Sequence, residues 1–438
     1  MSVTTPHPGP PNTGLPSPAA AAGAPRAALT VRRRKVGASL GGLPVANLVV
    51  LEVGLGLGLL LLAVNHSLLP VAGGIAVLAL LVAFLRWGGR WFTQWVGLTL
   101  RYLFRSHARA ATPSAVPAAD PDWVDDDERI TGPEDPRVDL LRLAVPDLVI
   151  AHGTDHERRP LGLAWHEGTW TAVLRVEPAP QLVTPIGKAP NLPLGALAPC
   201  LEDRGVVLDA IQVLWHCYPG SAVLPPSSDA LSAYLEVLGP LPASARRTTL
   251  VAVRLDPRRC GEAVRERGGG VVGAHRALIG ALSRVRSALE ARGVQTSPLD
   301  PDELMAAGLS AAELTTALGA DGEVGLREKW AGVTAAGIGH SSYAITNWPG
   351  KGISGSLNAL TSIRALSSTV TMSISPGAQE GEVGLRGLVR VSARTPSELS
   401  SAESRLEKLG ERIGLSLTPL RGLQAAGLAA TLPYGGSA

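Results

Sequence analysis

Residues 347 to 360, NWPGKGISGSLNAL, set Gly350, Gly352 and Gly355 in the spacing G-x-G-x-x-G, with Lys351 between the first two. Glycines so spaced let a chain turn sharply from strand to helix and bring backbone N–H groups against a pyrophosphate, so the chemistry in question is nucleotide binding. A dinucleotide site also needs an acidic residue about 20 positions past the first glycine, to hold the ribose hydroxyls. Residues 356 to 379 contain no Asp or Glu, and Pro349 sits where the strand would have to turn into the phosphate loop. A Walker A loop fails as well, because Gly352 follows Lys351 and Ile345 stands at the place of the first glycine. The stretch therefore reads as a glycine-rich surface turn between a strand and a helix.

Other reactive residue types do not assemble into a motif either. His152 and His156 stand four apart in HGTDH, without the H-E-x-x-H pattern and beside Arg158 and Arg159, which reads as a solvated turn. Asp125, Asp126 and Asp127 satisfy D-x-D, but a Pro-rich setting offers no strand end to fix two carboxylates on one cation, so DDDE (125 to 128) reads as an acidic spacer. Ser354 is flanked by Gly352 and Ser356, so no G-x-S-x-G elbow forms. Cys200, Cys217 and Cys260 are odd in number and widely spaced, which fits neither a disulfide framework nor a zinc site and suits a reducing compartment. No catalytic, cofactor-binding or metal-ligating residue is assigned from the sequence, and no cofactor is expected.

The elements that would position any site begin with a membrane hairpin. Residues 1 to 35 form an expected tail, rich in Pro, Ala and Gly and ending in the basic run Arg32 to Lys35. Leu43 to Val64 contains one ionisable group, Glu52, and its 22 residues reach about 33 Å as a helix, enough for a hydrocarbon core of about 30 Å. Leu68 to Leu85, extended by Trp87, is a second span without charge, and only Asn65, His66 and Ser67 separate the two. Arginines flank the outer ends of both runs and none lies in the turn, so both ends face the cytoplasm. Trp87, Trp91 and Trp95 recur every four residues among arginines, the pattern of an interfacial belt. A net charge of +3 is too small to imply nucleic acid.

Residues 36 to 110 thus form a hairpin with its basic aromatic flank, and 111 to 138 an acidic Pro-rich linker. From 139 to 438 the pattern is that of a mixed α/β, or α+β, cytosolic domain. Leu161 to Pro178 reads as a β-hairpin around Glu167-Gly168, and Ala274 to Gly293 as an amphipathic helix stopped by glycine. Further strands are expected at 205–219, 247–257, 341–348, 369–375 and 385–393, and a helix at 396–412.

Five segments carry a family resemblance: RPLGLAWHEGTWTAVLRV (159–176), RERGGGVVGAHRAL (265–278), HSSYAITNWP (340–349), LSSTVTMSISP (366–376) and LTPLRGLQAAGLAATLPYGG (417–436). With the close-spaced hairpin they resemble the EccE family, membrane components of type VII (ESX) secretion in actinobacteria. The resemblance implies a non-catalytic assembly subunit of the plasma membrane with a degenerate glycosyltransferase-like cytosolic domain. Its implied partners are an FtsK/SpoIIIE-type ATPase, a multi-span channel protein and a single-span protein. The competing reading is a membrane-anchored glycosyltransferase-like enzyme acting on a nucleotide-sugar or lipid-linked substrate, which would need a carboxylate pair at a strand end. A third is an adaptor that the hairpin merely anchors. Glu52 lies about 13 Å into the first span, where a carboxylate costs on the order of 3 kcal/mol. It is expected either to be neutral on a glycine-containing face (Gly54, Gly56, Gly58) or to meet a polar partner outside the hairpin.

Overall fold

The computed structural model describes residues 31–32, 39–40, 43–87, 90–112, 130–131, 135–178, 192–218, 246–320, 322–349, 353–377 and 382–434. The expected tail up to Thr30, the acidic run Asp125 to Glu128, and Gly350 to Gly352 lie outside these residues.

Two apolar helices, α1 (Val45–Val64) and α2 (Leu69–Phe84), form the hairpin over a short turn at His66–Leu68. α1, and α2 taken together with the turn from His66, are long and apolar enough to cross a membrane, and most of their surface is exposed, unlike the core helices of a soluble domain. Small residues bring them together. A Cβ added to Gly54 would stand 2.2 Å from the Ala79 Cβ, and one on Gly58 3.3 Å from the Ala72 carbonyl oxygen. This is the close backbone approach that a G-x-x-x-G spacing allows in lipid, where packing rather than water expulsion holds helices together. Asn47, unremarked in the sequence, is buried in the same seam: its amide donates to the Ala83 carbonyl at 2.7 Å and its Oδ1 accepts from the Thr93 hydroxyl. Thr93 belongs to α3 (Phe92–Leu103), which runs from the foot of the hairpin to the sheet.

The remainder is one twisted sheet between two helical layers, and the mixed α+β expectation holds. Its strands are β1 (Ala108–Ala111), β2 (Ile130–Thr131), β3 (Val149–Thr154), β4 (Pro160–His166), β5 (Thr169–Val176), β6 (Ala210–Tyr218) and β7 (Arg246–Leu255). They continue with β8 (Val324–Glu328), β9 (Val333–Ala335), β10 (Ile338–Asn347), β11 (Ser367–Pro376) and β12 (Val383–Ala393), and three short strands outside this run, Val31–Arg32, Thr296–Pro298 and Ser416–Pro419, pair with β12, β5 and β10, the first in parallel and the other two antiparallel. The order is β1-β8-β9-β10-β12-β11-β6-β7-β5-β4-β3-β2, and each pairing along this path is antiparallel. β1 begins inside the segment expected to flank the membrane and ends at the first linker residue, so the sheet starts where the hairpin's flank stops.

The β4–β5 hairpin turns at Glu167 and Gly168 with φ of 48° and 80°, the left-handed pair that a two-residue type I′ turn demands. One face of the sheet packs on α5 (Gly270–Glu290), α7 (Ile353–Leu360) and α8 (Pro396–Ile413). The opposite face packs on α4 (Pro136–Ala144), α6 (Pro301–Ala311) and α9 (Gln424–Ala430). Local chemistry explains why α8 lies within a residue of its expected bounds. Thr395 and Glu398 form a capping box, Pro396 opens the helix, and Gly414 closes it at φ 74°. The HGTDH run departs from expectation: His152 to Thr154 end β3 rather than lie in a turn. The turn starts at Asp155, whose Oδ1 accepts from the N–H groups of Glu157 and Arg159, both at 2.8 Å. Both histidines are exposed.

Candidate functional site

Two places concentrate polar chemistry, and the first joins membrane to sheet. Along α3, Trp95 and Tyr102 stand seven residues apart on one side and meet Trp330, in the turn between β8 and β9, with ring centroids 5.9 and 5.2 Å away. Val96, Leu100 and Leu103 are exposed on another side, as expected of a helix lying in the membrane–water boundary. Trp95 of the expected aromatic belt therefore turns towards the sheet domain, which sequence spacing could not show.

Below it, Arg105 reaches Glu328, whose side chain is 2% exposed. The second oxygen of Glu328 accepts the Ala425 N–H at the start of α9, at 3.0 Å, so one carboxylate ties the hairpin's flank to the last helix of the described residues. Arg109 donates to the Leu143 carbonyl at 3.0 Å, and its pKa is lowered by burial and by the neighbouring Arg105 charge.

The second place is a polar band across the centre of the sheet. Register sets His216 on β6 opposite Thr369 on β11, Thr369 opposite Arg390 on β12, and Arg390 opposite Ser342 on β10. The next row pairs Ser367 with Ser392, and Ser392 with His340. These residues lie on the face that α6 and α9 cover, and Arg390, His340, Ser342 and Ser392 are fully buried. His216 Nδ1 is 2.9 Å from the Thr369 hydroxyl and His340 Nδ1 2.9 Å from that of Ser392. Arg390 donates to Thr369 at 2.9 Å and to the Ala311 carbonyl at the end of α6.

Glu313 follows that helix end at φ 59°, a left-handed position that usually takes glycine. There its carboxylate accepts the Tyr218 hydroxyl at 3.2 Å and stands 3.7 Å from His216 Nε2. Burial, aided by the Arg390 charge, pulls His216 down to about 3 and His340 well below the ordinary imidazole value. Burial also brings Arg390 down to about 10, against the pull of Glu313, and raises Glu313 despite the nearby arginine.

Thr369, His216 and Glu313 lie in the order hydroxyl, imidazole, carboxylate that nucleophilic catalysis uses. The hydroxyl, however, is fully buried in a central strand and already accepts from Arg390. A nucleophile needs an open side for its substrate, and this one has a helix layer over it. The band is a polar seam within the core. Its sequence signal was the alternation Thr369, Thr371, Ser373, which by period alone describes a solvent face.

Of the three glycines of the motif only Gly355 lies among the described residues. α7 starts at Ile353, which places Gly355 inside its first turn and corrects, for that glycine, the reading of a surface turn. The strands before and after it, β10 and β11, are separated by β12, which is antiparallel to both. The phosphate crevice of a doubly wound sheet opens between parallel strands at a switch in order, an arrangement these pairings do not make. An open groove of about 550 Å³ along the outer sheet edge is lined by Ala108, Ala110, Gly325, Arg327 and Thr334, with no residue of the glycine motif. Among the described residues no three His, Cys, Asp or Glu side chains gather as a metal site. The three cysteines are buried and free, and burial raises the pKa of each.

The stretch from β7 through α5 and α6 into β10 supplies one edge of the membrane junction and the cover of the polar seam. Residues 243–345 match the EccE family model. That family is described as "Putative type VII ESX secretion system translocon, EccE". The match contains the segment Arg265 to Leu278 and the start of His340 to Pro349, two of the five on which the resemblance was drawn. In the matched region lie both Glu328 and Trp330, the groups that receive α3. No curated protein matches the chain.

Proposed function

We propose that the chain is a non-catalytic assembly subunit of a plasma-membrane type VII secretion complex. Its hairpin α1–α2 spans the bilayer with both ends and the sheet domain in the cytoplasm. The EccE match at residues 243–345 carries this reading. The hairpin supports it by presenting two mostly exposed apolar helices that water would not tolerate, and the junction supports it by tying that hairpin to the sheet edge. Under this reading residues 1–35 are a cytoplasmic tail, 36–110 the membrane hairpin and its flank, 111–138 a linker, and 139–438 the EccE-like domain, which borrows β1 from the flank.

The glycosyltransferase-like alternative is less well supported. Its nucleotide crevice would need parallel neighbouring strands and a paired carboxylate at a strand end, whereas the sheet is antiparallel along its path, Glu328 on β8 is taken up by Arg105 and the start of α9, and Glu313 lies beyond the end of α6 rather than on a strand. The partners are taken to be an FtsK/SpoIIIE-type ATPase, a multi-span channel protein and a single-span protein. Purification of the tagged full-length chain from its native membranes in mild detergent tests the proposal: those three classes are expected to co-purify in fixed ratio. Recovery of the chain alone, or with none of these classes, would overturn it.

A further inference from the structure

The first span has two faces bearing small residues, and the hairpin uses only one. Gly54 and Gly58 are closed by Ala79 and Ala72, and Asn47, the polar group of that seam, is satisfied there by Ala83 and Thr93. Gly56 lies on the other side, with nothing within 4 Å of an added Cβ. One turn before it on the same side stands Glu52, exposed and without a hydrogen bond or ion pair among the described residues. Val45, Val49, Leu59 and Leu60 continue this face, each exposed or partly so.

Glu52 is seven residues into α1, about 10 Å from its start, and a glutamate side chain is too short to reach water easily from there. α2, LPVAGGIAVLALLVAF, contains no side chain able to hydrogen-bond it. A polar group facing lipid is costly, so its presence on an otherwise apolar face marks a place where lipid is replaced by protein.

We propose that the Glu52–Gly56 face of α1 is an intersubunit seam that receives one transmembrane helix of another protein, and that this helix carries a hydrogen-bond donor (Lys, Arg, His, Asn or Gln) at the depth of Glu52. This rests on the assembly reading above and assigns a surface to it. Gly56 lets the incoming backbone approach as Gly54 lets α2 approach on the opposite side, and the donor satisfies the carboxyl group that the hairpin leaves unpaired. A second copy of this chain fits less well, since a two-fold contact through this face would set one Glu52 against another.

The test uses the full-length chain in its native membranes with a photo-crosslinking residue at Leu59, seven positions from Glu52 on the same face and 68% exposed. Three backgrounds are compared, wild type, Glu52→Leu and Glu52→Gln, with insertion checked by alkaline extraction. The expected result is a crosslink to a peptide from the membrane span of another protein, one that bears a donor residue within that span. Its yield should fall more than tenfold in Glu52→Leu and be largely kept in Glu52→Gln, which retains hydrogen-bonding capacity. Crosslinks to lipid alone, to a second copy, or at equal yield in Glu52→Leu would overturn the seam. If the complex still co-purifies with wild-type protein in those cases, the assembly reading stands and only the assigned face falls.

Discussion

Acidification should loosen the sheet through two histidines buried at its centre. His216 and His340 are 3% and 0% exposed, and both are held neutral in the folded chain, His216 down to about 3 and His340 well below its ordinary value. In the unfolded chain each regains a pKa near 6.5. The unfolded state therefore binds more protons between those limits, so stability is complete above about pH 6.5 and is lost as pH falls through the window towards 3. At pH 5 an unfolded histidine gains about 2 kcal/mol from protonation that the buried one forgoes, so the pair should cost about 4 kcal/mol relative to pH 7.5.

Glu313 acts in the opposite sense. Its raised pKa means the fold loses stability as pH rises from about 4.5 through the folded value, so on acidification it offsets part of the histidines' cost. His166 and His275, also lowered by burial, add a background common to every variant. Urea unfolding of the full-length protein in detergent, followed by tryptophan fluorescence with buried Trp215 beside His216 as reporter, measures the change. His216→Asn keeps a polar atom near the Thr369 hydroxyl but cannot titrate, so the wild-type loss between pH 7.5 and 5 should shrink by about 2 kcal/mol. An undiminished loss in His216→Asn and in His340→Asn would refute the reasoning.

Glu328→Ala should cost about 3 kcal/mol, since it strands Arg105 and the Ala425 N–H together, with Arg105 keeping some access to water. Hydrogen exchange should then rise in α9 and near Trp330. Gly54→Val should cost about 1 to 3 kcal/mol by forcing α1 from Ala79, whereas Gly56→Val should leave the hairpin itself unchanged; protease resistance in membranes separates the two. Single cysteines near Arg26 and Ala118 should resist an impermeant thiol reagent in intact cells while one at Ser67 reacts, and labelling at either outer site would reverse the orientation. Calorimetry should find no saturable binding of ATP, NAD or a nucleotide sugar, and Lys351→Ala should leave secretion intact; micromolar binding abolished by that substitution would restore the enzyme reading.

Much of the chain's architecture could be read from its residues. Two apolar runs long enough to cross a membrane, the first holding Glu52 as its one ionisable group, the Glu167-Gly168 turn between alternating strands, and the capping box of α8 each carry their signal in neighbours a few positions apart, and local geometry responds to just those neighbours. What tertiary structure decided was what covers each face. Alternation in β11 put Thr369 and Thr371 on one side, but period cannot say whether water or α6 lies beyond it, and here two helices turn a polar side into a core seam with an arginine at its centre. Asn47 and Thr93 are 46 residues apart, and Arg105 and Glu328 are 223 apart. No spacing rule reaches that far, because such pairs form only once the hairpin folds back and the sheet edge comes up beneath it.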